Sequence, residues 1–328
     1  MKAAWFDKFG PAAEVLVVGE RPDPLPEKGE VLVRLHTSGA NPSDVKKRAG
    51  AFPNLLDSGH IIPHSDGAGT IETVGEGVPK TRVGERVWVY QAQHGRRFGT
   101  AAELVALDSG RAVPLPANVS FEIGACLGIP VMTAHRCVFA DGPVEGQTIL
   151  VTGGAGRVGH YAIQWACQAG ADVIATASCE ADSQACRDAG AREVANHREA
   201  EWGATVLDAN DGDKVDRVID VEFGANLGQV LECIRIGGVI ATYSSTQVAQ
   251  PELPFYQMMY LDLTVRMVIV YAMPDSAKEH AIADIDDALR NDRLMHRVAR
   301  VVPLAEIARS HELIEQGGFR GAVVVGIP

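Results

Sequence analysis

Apolar and polar residues alternate in short runs through the N-terminal third of the chain. Residues 31–36 alternate after the turn Pro26-Glu27-Lys28-Gly29, and 70–74, 85–90 and 102–107 repeat the pattern between glycines and prolines. Alternation with period two, bounded by such breakers, predicts half-buried strands, because successive side chains leave opposite faces of the backbone. Residues 42–48 interrupt these strands as a short helix with proline in its first turn. The rhythm changes near Ser120. Residues 121–127 and 133–139 read as helical, and from Thr148 onward strands alternate with helices, the signature of a parallel sheet with helices on its faces. The strands are expected at 148–152, 173–177, 193–195, 217–221 and 239–243. Between the first two, Val158, Tyr161, Ala162, Trp165, Ala166 and Ala169 make one apolar stripe on a helix. Residues 226–236 predict a second helix, closed by Gly237-Gly238. An apolar strand at 263–270 follows, then helices at 277–289 and 304–316 and a last strand at 322–326.

A chain of 328 residues is long for one hydrophobic core, so two domains are expected. The first is β-rich and covers 1–122. The second, a doubly wound α/β domain, covers 123–270, and the tail 271–328 is assigned back to the first. The formal net charge of −12 excludes nucleic acid as an expected partner, since binding it depends on cationic side chains that displace counterions. Asp7 and Lys8 interrupt any signal-peptide core in the first ten residues, and the apolar run 267–273 is too short to span a bilayer. A cytoplasmic protein is therefore expected. No two of the six cysteines form a CxxC pair, which excludes a zinc ribbon or thioredoxin-like motif and predicts buried free thiols. The run Lys46-Lys47-Arg48 reads as a solvated helix face.

The strongest local motif is Gly153-Gly154-Ala155-Gly156-Arg157-Val158-Gly159, in which Gly154, Gly156 and Gly159 fit GxGxxG. A bare match is weak. Here a β-rich run precedes it and an amphipathic helix follows, the context of a dinucleotide-binding turn. Glycines permit the tight bend, the approach of backbone N–H groups to a pyrophosphate, and close helix–strand packing, while the helix N-terminus favours the anion. An NAD site usually carries Asp or Glu at the end of the next strand, to bind the ribose 2′-hydroxyl. Neither Ala177 nor Ser178 is acidic, which favours NADPH. Glu180 and Asp182 just beyond weaken that preference, and Ser178, Arg157, His197 and Arg198 are the groups available to receive a 2′-phosphate.

With these residues in view, the sequence resembles the zeta-crystallin and quinone oxidoreductase family across essentially its whole length. The resemblance is carried by Met1-Lys2-Ala3 with Phe9-Gly10-Pro11, Gly39-Ala40-Asn41-Pro42-Ser43-Asp44 and Ser65-Asp66-Gly67-Ala68-Gly69. It continues through Gly84-Glu85-Arg86-Val87, Gly128-Ile129-Pro130 with Thr133-Ala134-His135-Arg136, and Asn196-His197-Arg198-Glu199. It implies a GroES-like catalytic domain, a Rossmann domain and a cofactor between them. It also implies a binding set: Ala155, Gly156, Arg157 and Val158 in the turn, Ser178 and His197 at the 2′-phosphate end, and Asn226 after the fourth strand. Tyr243, Ser244, Ser245 and Thr246 would follow the fifth strand, Val268, Ile269 and Val270 would lie by the nicotinamide, and Asn41 and Phe52 would face the acceptor. Arg157 stands where the family usually has glycine, Asp182 near a usual lysine, Phe52 for a common tyrosine, and His64 for a common glycine. His64 is open between an active-site group and a structural histidine.

Zinc-dependent relatives hold the metal with three protein ligands, and by motif those positions fall on Asn41, Ser65 and Ile129. Isoleucine has no ligand atom, so no metal is expected. A quinone or enone, already electron-poor, accepts a hydride without a Lewis acid, and no Ser-Tyr-Lys or Ser-His-Asp constellation supplies acid–base machinery. The expected activity is hydride transfer from NADPH to a quinone. The alternatives are reduction of an enone or alkenal double bond and, from a different class, a non-catalytic crystallin-like binding protein. In relatives the strand corresponding to 263–270 pairs with its twin, which implies a homodimer, with a tetramer as the alternative.

Overall fold

The computed structural model describes residues 1–328, and they separate into two compact units. One comprises Met1–Ile129 with Ile282–Pro328, the other Pro130–Ala281, against limits of 122/123 and 270/271 read from the sequence.

The first unit is built on a mixed seven-stranded sheet. Glu30–Ala40 is its spine, eleven residues long, pairing antiparallel with Asp66–Val74, Leu104–Asp108 and the C-terminal strand Ala322–Gly326. Val298–Pro303 extends the sheet beyond Ala322–Gly326, and Arg86–Val89 and Ala112–Pro114 extend the other side. Val31, Val33, Leu35, Ile71, Val87, Val105 and Leu107 are buried along these strands, as alternation requires. Each aliphatic side chain so removed from water contributes about 2 kcal/mol before conformational entropy is counted. The spine's long run of buried small and polar residues, Thr37 to Asn41, is less regular, and it is where the chain turns into the helix Pro42–Arg48. The return of the tail to this unit is direct: Val323, Val324 and Val325 pair with Ala40, Gly39 and Ser38. A small hairpin, Lys2–Trp5 with Val17–Glu20, is not apparent in the hydrophobic pattern.

The second unit is a six-stranded, all-parallel sheet in the order Glu193–Asn196, Asp172–Ala177, Thr148–Val151, Val215–Asp220, Ile234–Thr242, Thr264–Met267. In chain order that is 3-2-1-4-5-6, the doubly wound arrangement in which ligands bind at the carboxyl ends of the first and fourth strands, where the order reverses. The core joins Leu150, Ile174, Val218 and Ile240 of the strands to Trp202, Phe223, Leu227 and Val230 of the helices. One expectation fails here. The helix begun before Asn226 ends at Cys233, and Gly237-Gly238 lie inside the fifth strand rather than capping a helix. The pairing shows why: Val215 faces Ile234 but Arg217 faces Val239, so three extra residues bulge out. Gly237 turns there at φ +71°, and a Cβ on Gly238 would stand 2.5 Å from Ile234. The apolar run 263–270 is likewise a strand only over Thr264–Met267 before a 3₁₀ turn at Val270–Ala272.

Candidate active site

The glycine motif spans the bend between the strand Thr148–Val151 and the helix Arg157–Gln168, with Gly156 at the helix N-cap. Gly153 sits at φ +59°, and its N–H donates to Thr176 Oγ1 at 3.0 Å, while the Gly154 N–H donates to the Thr176 carbonyl at 3.0 Å. The bend is thereby tied to the second strand. A Cβ on Gly154 would meet Ile163, Ala175 and Cys186 within 2.9 Å, and one on Gly159 would stand 2.6 Å from the Gly153 carbonyl oxygen. Nothing but hydrogen fits at either place. With Arg157, Val158 and Gly159 opening the helix, three backbone N–H groups lack intrahelical acceptors and the dipole points at the bend.

At the end of the second strand, Ser178 follows Ala177 and its hydroxyl donates to Asp182 Oδ2 at 3.3 Å. The His197 N–H donates to the Ala177 carbonyl, and its Nδ1 lies 3.2 Å from Thr176 Oγ1. Burial, then the neighbouring Arg198, holds the His197 imidazole below its ordinary pKa, against the pull of Asp182. His197 is therefore neutral near pH 7, and Arg198 is the permanent cation of that pair. Cys179 is exposed, a correction to the expectation of buried thiols throughout; the other five cysteines are buried or half-buried, and none is joined in a disulfide.

At the carboxyl ends of the fourth to sixth strands, Tyr243, Ser244, Ser245, Val268 and Ile269 line a cavity of about 280 Å³. Thr246 and Val270 do not line it. The Thr246 N–H is held by Glu222 at 2.9 Å, and Val270 enters the 3₁₀ turn. Burial raises the Tyr243 phenol well above its ordinary pKa. Asn226 donates to Asp220 Oδ1 at 2.7 Å, and Thr152 Oγ1 donates to the same oxygen at 2.7 Å. Asp220 is buried and its other oxygen has no partner; burial raises its pKa despite those two bonds. Its place at the reversal point makes it a functional candidate that motif reading misses. An acid at the end of a buried strand is the available signal.

In the first unit, Asn41 is the N-cap of the helix Pro42–Arg48 and only 5% exposed. Its side-chain amide donates to Asp66 Oδ2 at 2.9 Å, and the Ile129 N–H donates to the same oxygen at 2.8 Å. Asp66 is fully buried, its Oδ1 has no partner, and burial pushes the carboxyl up to about 8 against the pull of both bonds. Lys47 and Arg48 are buried too, which corrects the reading of a solvated basic face. Lys47 Nζ donates to Gln93 Oε1 at 2.6 Å, with a pKa lowered by burial, and Arg48 pairs with Glu315. Phe52, by contrast, is 53% exposed at the start of a 3₁₀ turn.

His64 is settled by its surroundings. It is fully buried at φ +74°, with Nδ1 2.8 Å from Ser38 Oγ and Nε2 3.0 Å from His311 Nε2. Thr100 donates its hydroxyl proton to the Asp66 carbonyl at 2.6 Å, and a carbonyl can only accept. The 2.7 Å bond between Ser38 and Thr100 therefore uses the serine proton. Ser38 must then accept from His64 Nδ1–H, and His64 Nε2 must accept from His311 Nε2–H. His311 Nδ1 is left buried and without a partner. Burial holds His64 well below its ordinary pKa and takes His311 to about 3, so both rings are neutral. This histidine is a buried tie between the return segment and the Asp66 loop.

Comparison with known proteins agrees with this architecture. The family described as alcohol dehydrogenase GroES-like domain matches residues 27–117, and that described as zinc-binding dehydrogenase matches 158–287. A quinone oxidoreductase of Mus musculus is 34% identical over 241 residues, covering 73% of this chain and 71% of that protein. The chain belongs to the quinone oxidoreductase family of medium-chain dehydrogenases and reductases. Among solved structures, a mycobacterial protein in complex with NADPH superposes with a TM-score of 0.87 at 27% identity, over 99% of this chain and 100% of that one. An NAD-dependent alcohol dehydrogenase superposes equally well, with a TM-score of 0.87 at 28% identity and both chains covered completely.

Within this family the positions of the missing zinc ligands take on a definite meaning. Asn41 and Ile129 both bond to Asp66, and Ser65 is its neighbour in the chain. An amide, a hydroxyl and an isoleucine are not a zinc-ligand set; the first and last of these positions hold the buried Asp66 carboxyl instead. The second unit holds a different histidine pair, His135 and His280, edge to face with ring centres 5.1 Å apart, which shares no residue with those positions. No helix is long and apolar enough to cross a membrane.

Proposed function

We propose that this oxidoreductase transfers a hydride from NADPH to a quinone without a metal ion. The observation that carries the proposal is the conjunction of a glycine bend that admits only hydrogen atoms at Gly154 and Gly159 with a motif-defined ligand position filled by isoleucine. The names of similar structures divide between NADPH and NAD; the absence of an acid at Ala177 and Ser178 favours NADPH.

NADPH, when bound, supplies the hydride. The bend and the first N–H groups of the helix Arg157–Gln168 hold the pyrophosphate, with Gly154, Ala155, Gly156, Arg157, Val158 and Gly159 as the contact set. Ser178, Arg157, His197 and Arg198 receive the adenosine end, the last two as neutral donor and cation. Asn226, tied to Asp220, and the cavity lined by Tyr243, Ser244, Ser245, Val268 and Ile269 take the other end and exclude water there. Thr246 and Val270 support that wall from outside the cavity. Asn41, fixed by Asp66, and Phe52 act on the acceptor, and no side chain is assigned as general acid. An electron-poor acceptor suits such a site, because orientation does most of the work. We further propose a cytoplasmic homodimer built on the edge strand Thr264–Met267, beside which Phe255, Tyr256, Tyr260 and Met267 are all more than 60% exposed.

The test is loss of NADPH absorbance with a panel of quinones, enones, ketones and alcohols. Rapid turnover with quinones is expected. Turnover confined to enones would move the assignment to double-bond reduction, and none with any acceptor would leave a binding protein.

A further inference from the structure

The adenosine end of the dinucleotide site contains a carboxylate that the cofactor preference does not explain. Asp182 lies in the first turn of the helix Glu180–Asp188, which follows the second parallel strand directly. Its Oδ2 accepts from the Ser178 hydroxyl at 3.3 Å and lies 3.3 Å from Cys179 Sγ. Ser178 is the first residue past the strand, where a doubly wound fold reads the ribose 2′ position. The one hydroxyl available there to a 2′-phosphate is thus already donated to a carboxylate. The same carboxylate acts electrostatically on His197. The helix N-terminus, which otherwise attracts an anion, already carries Glu180 and Asp182 in its first turn. The countercharge acting on the same imidazole is Arg198. Glu180 is 82% exposed and pairs with Arg187 at 3.1 Å, so solvent and that partner screen its charge from Ser178.

We propose that Asp182 is the residue setting cofactor selectivity, and that it relaxes the site so that NADH is bound alongside NADPH. A carboxylate beside Ser178 repels the added charge of a 2′-phosphate and at the same time offers an acceptor to a free 2′-hydroxyl. This rests on the dinucleotide reading of the glycine bend.

The experiment is titration calorimetry of the full chain with NADPH and with NADH, for the unmodified protein and for Asp182→Asn, Asp182→Lys and Glu180→Gln. The unmodified protein is expected to bind the two cofactors within about tenfold of each other. Asp182→Asn removes one charge but keeps an acceptor for Ser178, and should tighten NADPH by about tenfold while NADH moves by less than about threefold, the scale of one partly screened charge. Asp182→Lys should go further in the same direction, and Glu180→Gln should leave the ratio where it was. On the unmodified protein, adenosine 2′,5′-bisphosphate should displace NADH no better than 5′-AMP, a result that depends on no variant folding. Preference for NADPH beyond about 100-fold, displacement by the bisphosphate at least tenfold better than by 5′-AMP, or an Asp182→Asn protein with an unchanged ratio would each overturn the assignment of Asp182. Failure of the unmodified protein to bind either dinucleotide would instead remove the dinucleotide reading itself, and this inference with it.

Discussion

The glycine bend of the second unit and the Asp66 cluster of the first are both places where atoms approach unusually closely, but they achieve it by opposite means. The bend does so by omission: with no side chain of its own, Gly154 takes the side chains of Ile163, Ala175 and Cys186 against its Cα, and Gly159 packs against the backbone of Gly153 and Gly154. The cluster does so by accumulation. Ser38, Asn41, His64, Asp66, Thr100, Ile129 and His311 come from distant parts of the chain and hydrogen-bond to one another, leaving Asp66 Oδ1 and His311 Nδ1 without partners. A site made of backbone tolerates no addition and does not titrate. A site made of buried polar side chains tolerates no deletion, and its stability must follow pH.

The largest effect should come from adding one carbon to the bend. In Gly159→Ala the new Cβ meets the Gly153 carbonyl oxygen at 2.6 Å and the Gly154 Cα at 2.9 Å, both backbone atoms that cannot swing aside. The bend must open, which on the proposed reading moves its N–H groups off the pyrophosphate. NADPH affinity, measured by titration, should fall by more than about 100-fold, since misplaced positioning groups act with that leverage. Normal binding by the Gly159→Ala protein would show that the close approach is incidental to holding the cofactor.

The complementary deletion is Asp66→Ala. It leaves the Ile129 N–H with no acceptor and the Asn41 amide with only the Gly39 carbonyl at 3.5 Å. A loss of about 2–4 kcal/mol in chemical denaturation is expected, from one unsatisfied and one weakly bonded buried donor and the missing volume. Ser38→Ala should cost less, because it removes a single atom and leaves one buried donor, His64 Nδ1–H, without its acceptor.

The pH dependence separates the two halves of the cluster by sign. Asp66 has a folded pKa of about 8, raised by burial above its ordinary value of 3.8. Between those values the folded state holds a proton that the unfolded state releases, so stability declines as pH rises. The histidines run the other way. His64 and His311 lie below the ordinary value of 6.5, His311 at about 3, so below 6.5 the unfolded state takes protons that the folded state refuses, and stability declines as pH falls. From about pH 4 to 6.5 these trends oppose each other, and above 6.5 the two histidines drop out and Asp66 sets the cluster's trend. Thermal melts should therefore show an alkaline decline worth about 2 kcal/mol between about pH 6.5 and 8, at ~1.4 kcal/mol per pH unit. Asp66→Asn should flatten it, while His311→Leu should flatten only the acid side. An alkaline limb of unchanged slope in Asp66→Asn would mean that this carboxyl is ionised in the fold.

The same contrast governs what the amino-acid sequence discloses. The bend is legible because its residues are contiguous and its strand and helix show their own periodicities; the parallel strands from Thr148 to Thr242 lie within a few residues of where the pattern puts them, apart from the early start of the fifth. The fifth strand's bulge is not legible, because Gly237-Gly238 serves equally as a helix stop and only cross-strand register distinguishes the two uses. In the first unit the sheet is legible from alternation, but the cluster is not. Lys47 and Arg48 look like a solvated face until Gln93 and Glu315 are brought to them by folding. His64 has no visible partner in the sequence because His311 lies 247 residues away. Asp182 is legible as a residue, but its bonds to Ser178 and Cys179 are not.

The smallest predicted effect has the opposite direction and tests the contrast at a glycine without a role. Gly228 lies inside the helix Phe223–Cys233, exposed, and a Cβ built on it meets nothing within 4 Å. It serves neither a turn nor a close approach, so its main contribution is backbone freedom in the unfolded chain, which folding must remove. Gly228→Ala should therefore stabilise the protein by about 0.5–1 kcal/mol in denaturant titrations, with NADPH affinity unchanged. Set beside Gly159→Ala, the same one-carbon change in the same unit would then raise stability at one glycine and abolish binding at the other. A neutral or destabilising Gly228→Ala would show that the helix face carrying this position is in contact with something and that its glycine has a role.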